Sequence, residues 1–218
     1  MRKIVRPLLA ALLASPLLAH AVDPNLLVNG DFESQPFWGQ GISGNAGYTA
    51  LTGSQMPGWT IEANHAVTIH NTASYPTIAG GYSVNMDGEG HFGNNGNFFQ
   101  DFASGAGRSY ELNYDWSTWF ASSARLDVSI VDLTTNSVLY SGNHAFASGL
   151  HHEFASFTGT GNPLRLRVQY SPQSGYNDNT FMVDNFSVTA APVPEPASMA
   201  LLLAGLGIVG AAARRRKG

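Results

Sequence analysis

The sequence predicts an all-β protein, a jelly-roll β-sandwich flanked by an N-terminal signal peptide and a C-terminal transmembrane helix. Apolar and polar residues alternate with a period of two in several segments, which is typical of half-buried strands. Turn-forming residues recur roughly every eight to twelve residues, and no helical pattern separates the predicted strands. Long apolar runs occur only at the two ends of the chain.

The first 21 residues predict a cleaved signal peptide. Three cations at positions 2, 3 and 6 precede an apolar stretch over 7–18, and Ala19-His20-Ala21 supplies the small residues that flank a signal-peptidase cut. The mature chain would begin at Val22. We therefore expect the protein to be exported through the inner membrane.

The alternation is clearest in the second half of the chain. Within 108–116, Tyr110, Leu112 and Trp116 share one face, which predicts that Trp116 belongs to the core. Other segments with the same period or a strand-like composition complete a set of nine or ten strands. Besides 108–116, the predicted strands are 26–32, 59–63, 66–70, 82–86, 97–102, 126–130, 164–170 and 181–189.

Residues 22–189 are predicted to form one β-sandwich domain, and 190–196 a short linker. The stretch 22–191 holds fourteen acids against four arginines and no lysine, a formal net charge of −10. Such a surface would repel nucleic acid and anionic lipid, whereas it suits a divalent cation or a neutral sugar. Cysteine is absent from the chain, so no disulfide supports the fold.

The last 26 residues combine three parts with separate physical meanings. The prolines hold Val193-Pro194-Glu195-Pro196 extended. The apolar run 197–213 predicts a transmembrane helix, because about 17–25 residues cross a bilayer. The basic tail 214–218 resists translocation and would stay on the cytoplasmic side.

These three parts together resemble the PEP-CTERM sorting signal of exported bacterial proteins. The resemblance implies an exosortase-like processing enzyme as a partner. It also implies transient anchoring in the membrane, followed by delivery to the cell surface or the extracellular matrix. The motif itself gives the destination of the protein and leaves its activity open.

Four motifs of the predicted domain occur in order along the chain: Asn25–Glu33, Pro57–Ile61, Phe98–Phe102 and Met182–Val188. Together they resemble the galactose-binding-like jelly rolls, especially the DUF642-like and carbohydrate-binding-module domains of exported proteins. The resemblance covers nearly the whole domain and implies its fold. The chain departs from the family pattern at Asn85, where relatives tend to carry an acid.

The same resemblance implies a structural calcium ion, with Glu33 and Asp184 as ligands. Calcium binds six to eight oxygens, and backbone carbonyls could complete a set that two carboxylates begin. Asp184 also interrupts an apolar strand, where an unpaired carboxylate would be costly. In the alternative interpretation, Asp184 accepts backbone hydrogen bonds or caps a turn, and Glu33 is simply exposed.

Aromatic residues in loop-like stretches are the expected glycan-binding residues, because sugar rings can stack on aromatic faces. These are Trp38, Trp119, Phe120 and Tyr176. The alternative is that all the tryptophans belong to the core or cover the ends of the sandwich.

No catalytic arrangement is recognisable in the sequence. A serine hydrolase of the Gly-x-Ser-x-Gly type is not indicated, because that turn does not occur. His144, His151 and His152 lack the spacing of a zinc site and are predicted to be surface or loop residues. His151 and His152 are adjacent, so they would point to opposite faces of a strand.

The sequence thus predicts an exported, surface-sorted, non-catalytic protein. It would bind a glycan or be a structural component of an exopolysaccharide or biofilm matrix, with extracellular polysaccharide as its partner and nucleic acid excluded. The alternative is a secreted polysaccharide-acting hydrolase, since two of the fourteen acids could stand across a cleft.

Overall fold

The computed structural model describes residues 24–34, 48–72, 77–86, 96–118, 124–171 and 181–191, together with 203–208 and 214–215. In this part of the chain, eleven strands form two sheets. The strands are β1 (Tyr48–Leu51), β2 (Thr60–Ile61), β3 (Val67–Asn71), β4 (Tyr82–Asn85), β5 (Asn97–Ala103), β6 (Ser109–Thr118), β7 (Arg125–Asp132), β8 (Val138–Ala145), β9 (Leu150–Thr158), β10 (Pro163–Ser171) and β11 (Phe181–Ala190).

The first sheet has the strand order β1-β3-β4-β11-β6-β9, and the second has the order β2-β5-β10-β7-β8. Every paired strand is antiparallel to its neighbour. The last strand, β11, lies between β4 and β6, and β10 lies between β5 and β7. The predicted jelly-roll β-sandwich is confirmed.

The core lies between the two sheets and is built by the predicted alternation. Leu126, Val128 and Ile130 of β7 have no exposed surface, and every second residue of the neighbouring strand β10 is buried beside them on the same face of the sheet. Trp116 is 4 % exposed, so its prediction as a core residue is confirmed.

The predicted strand 26–32 is wrong, because this segment forms turns. Asn29 and Phe32 have φ values of 54°, in the left-handed region and not in the extended region of a regular strand. The segment nevertheless runs beside β11. The Leu26 amide donates to the Val188 carbonyl at 2.8 Å, and the Phe186 amide donates to the Gly30 carbonyl at 2.8 Å. Only glycine allows this approach, since a Cβ at Gly30 would collide with the Phe186 carbonyl oxygen.

This N-terminal segment contributes Phe32 to the core. The Phe32 ring is fully buried and lies 5.6 Å from the Trp59 ring, 6.1 Å from Phe98 and 6.0 Å from Phe186. The Trp59 Nε1–H donates to the Asn29 carbonyl at 2.9 Å. Through Phe32, the segment therefore packs against both sheets, against Phe186 of the first and Phe98 of the second.

The prediction missed β1, β8 and β9, and it placed His144, His151 and His152 on the surface or in loops. All three histidines lie on strands β8 and β9: His152, whose side chain is 71 % exposed, is at the surface as predicted, whereas His144 and His151 point inward. Strand β9 was missed because Glu153 and His151 point toward the sandwich interior, beside their cross-strand partners Tyr114 and Trp116 of β6. Polar residues at inward positions hide the alternation from which strands are predicted.

The end of the chain is described only in part. Residues 203–208 and 214–215 are helical, and the other residues of the predicted membrane helix lie outside the described part. Among the described residues, no helix has the length and apolar character to cross a membrane. The predicted signal peptide, residues 1–21, also lies outside the described part.

We expect Phe32→Ala to lower the free energy of unfolding by about 3–5 kcal/mol, because it removes a fully buried ring that contacts three others. Chemical denaturation followed by circular dichroism measures the loss. Phe146→Ala is the matched control, since Phe146 is 37 % exposed and its truncation should cost much less. A loss for Phe32→Ala as small as that of truncating an exposed side chain would show that the N-terminal segment is not part of the core.

Candidate functional site

The predicted glycan-binding and sorting residues lie outside the described part of the chain. The predicted glycan-binding residues are Trp38, Trp119, Phe120 and Tyr176. The predicted sorting residues are Val193, Pro194, Glu195 and Pro196. Their roles stay predictions, and the site is built from the residues that the structure describes.

The two predicted metal ligands, Glu33 and Asp184, bind the same loop from two sides. Glu33 Oε1 accepts hydrogen bonds from the Gly81 amide at 2.8 Å and the Tyr82 amide at 3.1 Å. Asp184 Oδ2 accepts one from the Ala79 amide at 3.3 Å. Residues 79–82 are thus held between the N-terminal segment and β11.

Two glycines make this approach possible. Gly80 has a φ of 56°, and a Cβ there would collide with Glu33 Oε1. A side chain at Gly81 would also crowd the other carboxylate oxygen. The Gly80-Gly81 pair therefore lets the backbone reach the carboxylate directly.

Asp184 is 1 % exposed and belongs to the first sheet. Its Oδ2 also accepts a hydrogen bond from Ser83 Oγ at 2.8 Å, and Oδ1 accepts one from the Asn185 amide at 2.7 Å. These donors favour the ionised form, but burial outweighs them, and burial together with the Glu33 charge raises the pKa of Asp184 to about 7.

Asp184 lies beside other buried polar residues on the outer face of β3 and β4. The His70 ring nitrogen Nε2 lies 3.2 Å from Asn85 Nδ2, and His70 is the cross-strand partner of Ser83. Burial lowers the pKa of His70 to about 4. This outer face is therefore buried and polar, an arrangement that the alternation alone does not predict.

The fit of these residues to calcium is partial. Glu33 and Asp184 supply carboxylate oxygens on either side of one loop, but N–H donors already approach them. In the described residues, no group of three His, Cys, Asp or Glu side chains could hold a metal ion. A calcium shell would need further oxygens, and the calcium site stays a prediction.

The outer face of the second sheet has a different character, because its polar side chains reach solvent. Arg165 of β10 forms two parallel hydrogen bonds to Asp101 of β5, at 2.7 and 2.9 Å. Arg167 forms the same forked contact with Glu62, again at 2.7 and 2.9 Å. Such forked pairs fix both partners in one orientation.

The polar surface continues across β7 and β8. Asp127 and Asn143 are cross-strand partners, and Asn143 Nδ2 donates to Asp127 Oδ1. Arg125 Nη1 donates to Asn143 Oδ1 at 3.0 Å. On β5, the Phe99 ring lies under the Arg165 guanidinium, whose Cζ is 3.5 Å from the ring centre. We call this surface the polar face; it comprises Glu62, Phe99, Asp101, Arg125, Asp127, Asn143, Arg165 and Arg167.

The polar face is balanced in charge within an acidic domain. Its three arginines are matched by Glu62, Asp101 and Asp127. Burial is only partial there, and the Arg167 hydrogen bond is the main cause that lowers the pKa of Glu62. The face thus offers hydrogen-bond donors and acceptors without a net charge.

A ring cluster at the β8 and β9 side of the interior was also missed by the sequence. The His151 ring stacks on Trp116 at 4.1 Å, and the Trp116 Nε1–H donates to Glu153 Oε1 at 3.1 Å. His144 Nε2 lies 2.6 Å from the Tyr114 hydroxyl, and burial lowers the pKa of His144. These contacts satisfy the polar groups that face inward from the edge strands.

Fold and sequence together define an all-β jelly-roll domain that precedes a C-terminal sorting segment. The chain belongs to the family described as protein of unknown function (DUF642), whose model matches residues 25–188. Residues 192–217 match the PEP-CTERM protein-sorting motif. Both resemblances stated from the sequence are confirmed. No curated protein matches the chain.

Similar solved structures include carbohydrate-binding modules. A family 61 module in complex with β-1,4-galactotriose is 13 % identical, with 77 % of this chain and 99 % of that chain covered and a TM-score of 0.48. A xylan-binding domain from Paenibacillus barcinonensis is 12 % identical, with 67 % and 95 % covered and a TM-score of 0.42. The enzymatically active domain of tailspike protein 4 from bacteriophage CBA120 is 13 % identical, with 77 % and 21 % covered and a TM-score of 0.46.

If calcium is bound, EDTA should lower the melting temperature of the calcium-loaded chain by several degrees, because only the folded state binds the ion. Differential scanning calorimetry with and without EDTA measures this change. Glu33→Gln is the control, since it removes one proposed ligand and should abolish the response to EDTA. If EDTA does not change the melting curve, the two carboxylates do not bind calcium, and their role is to accept hydrogen bonds from residues 79–83.

In EDTA, the buried residues Asp184 and His70 should have opposite effects on stability between about pH 4 and pH 7. The raised pKa of Asp184 gives stability that is complete below pH 4 and is lost as the pH rises to about 7. The lowered pKa of His70 gives stability that is present above pH 6.5 and is lost as the pH falls to about 4.

We therefore expect Asp184→Asn to lose stability as the pH falls from 6.5 to 4, and His70→Gln to lose stability as the pH rises over the same range. Wild type should vary less than either variant, because its two contributions oppose each other. Urea denaturation at a series of pH values measures the free energy of unfolding. Parallel profiles for the three proteins would contradict the assignment.

Proposed function

We propose that this chain is a non-catalytic surface protein whose sandwich binds a neutral glycan through the polar face. The sorting motif at 192–217 supports delivery to the cell surface, with processing by an exosortase-like enzyme after transient anchoring in the membrane. The glycan would belong to an extracellular polysaccharide. The observation that carries the proposal is the set of mutually oriented polar side chains on the outer face of the second sheet.

The polar face offers what a sugar needs for recognition. Hydroxyl groups both donate and accept, and the face presents guanidinium, amide and carboxylate groups across β5, β10, β7 and β8. The forked contacts of Arg165 and Arg167 orient these groups before a ligand arrives. Such preorganisation lowers the entropic cost of binding.

Charge favours a neutral ligand over a polyanion. The arginines of the polar face are paired with acids, and the domain as a whole is acidic. A polyanionic chain would have to displace Asp101 or Glu62 from these arginines and approach a negative surface. A neutral polysaccharide would neither compete with Asp101 and Glu62 for these arginines nor be repelled by the negative surface.

Binding is favoured over hydrolysis by the position of Asp184. Among the described residues, it is the carboxylic acid whose pKa is raised, as a general acid requires. Its side chain is 1 % exposed and is occupied by Ser83, Ala79 and Asn185. A glycosidic bond in solvent would not reach it.

A glycan array probed with the purified chain, followed by titration calorimetry on the hits, tests the proposal. We expect Arg167→Ala and Asn143→Ala to weaken binding by about tenfold or more, since each removes an oriented polar group. Trp119→Ala should abolish binding without unfolding if its ring is a stacking platform. Glu111→Gln is the control, because Glu111 lies on the outer face of the other sheet.

An array without hits would contradict the proposal and favour a matrix protein with no specific ligand. Release of reducing ends from a bound polysaccharide would identify a hydrolase. If Trp119→Ala abolishes binding while Arg167→Ala and Asn143→Ala do not change it, the glycan binds elsewhere than on the polar face.

A further inference from the structure

The four edges of the two sheets differ in how well they are protected from pairing with another strand. Edge strands β1 and β2 have four and two residues. Edge strand β8 has eight residues, and its pairing with β7 contains a register shift between Ile130 and Val131. Short strands and irregular pairing are ways in which proteins prevent edge-to-edge association.

Within the part of the chain that the structure describes, edge strand β9 has none of these protections. It is nine residues long, pairs with β6 without a register shift, and contains no proline, lysine or arginine. Its one acid, Glu153, faces the interior and accepts the Trp116 hydrogen bond, so it does not point across the edge. The outer edge of β9 therefore presents regular strand backbone.

The exposed side chains of β9 are apolar at the centre and uncharged or basic around it. Phe154, the middle residue of the strand, is 62 % exposed, and Leu150 at one end is 47 % exposed. His152 and Ser156 flank Phe154 on the same face. β9 itself carries no acid on this face, and the nearest carboxylates, Asp115 and Glu111 of β6, lie one strand behind it as the partners of His152 and Ser156. Two copies could therefore approach without carboxylates of the two β9 strands facing each other.

We propose that two copies of this chain associate through β9, paired antiparallel about a two-fold axis that passes beside Phe154. This arrangement places the two Phe154 side chains opposite each other and sets His152 opposite Ser156 of the second copy. The first sheet would continue from one copy into the other. A second copy fits better than an unrelated strand, because an exposed aromatic at the centre of a strand meets itself only in a two-fold pair.

The absence of cysteine makes a direct test possible. In the two-fold pair, the Cα atoms at position 154 are about 4.5–5.5 Å apart, within the range that a disulfide spans. At position 156, they are about 14 Å apart, because they are offset by four residues. Oxidation of the full chain should therefore link Phe154→Cys into dimers in high yield, while Ser156→Cys, equally on the exposed face, should stay largely unlinked.

A second measurement uses the mass of the full chain in mild detergent, determined by light scattering after gel filtration. We expect wild type to be a dimer and Phe154→Lys to be a monomer, because a lysine on the edge opposes pairing. Val138→Lys is the matched control, since Val138 is 60 % exposed on edge strand β8 and its replacement should leave the dimer intact. A monomeric wild type, a dimer that survives Phe154→Lys, or equal cross-linking at positions 154 and 156 would overturn the proposal.

Discussion

The fold depends on the aromatic packing that joins the N-terminal segment to the last strand. Phe32 enters the core from a turn and Phe186 enters it from β11, and both contact the Trp59 ring. Because β11 lies in the middle of the first sheet, this packing fixes the centre of that sheet against the second one. It also places Glu33 and Asp184 on either side of residues 79–82. The hydrogen bonds of Glu33 and Asp184 to residues 79–82 therefore depend on the same packing.

An irregularity in β11 makes this packing possible. Phe181 and Val183 face the interior, but so do Phe186 and Val188, and strict alternation would turn the second pair outward. The register against β6 shifts between Asp184 and Ser187, and Asn185 has a φ of 53°. The extra residue brings Phe186 into the core and leaves Asp184 under the loop on the outer face. One bulge thus supplies both the central ring and the buried carboxylate.

The outer faces of the two sheets carry different parts of the chemistry. On the first sheet, His70, Ser83 and Asp184 are buried, so their hydrogen bonds and pKa values bear on stability. On the second sheet, the forked pairs of Arg165 and Arg167 remain accessible, and they orient polar groups toward solvent. The edge strand β9 adds a third surface, on which an exposed ring stands at the centre of regular backbone. The buried polar residues, the proposed glycan-binding face and the proposed association edge therefore occupy separate parts of one sandwich.

The sequence by itself determined the fold class, the strands with clear alternation, the core position of Trp116 and the C-terminal sorting motif, because these depend on local periodicity and on short contiguous motifs. Only the tertiary structure decided that 26–32 is a turn segment, since the positive φ values of Asn29 and Phe32 arise from contacts with β11 and Trp59. It also decided that β9 is a strand, because its inward Glu153 and His151 are stabilised by Trp116 of β6. The polar face could not be predicted from the sequence either, because its pairs join residues as far apart in the chain as Glu62 and Arg167. Alternation gives the face on which a side chain lies, but cross-strand register gives its partner.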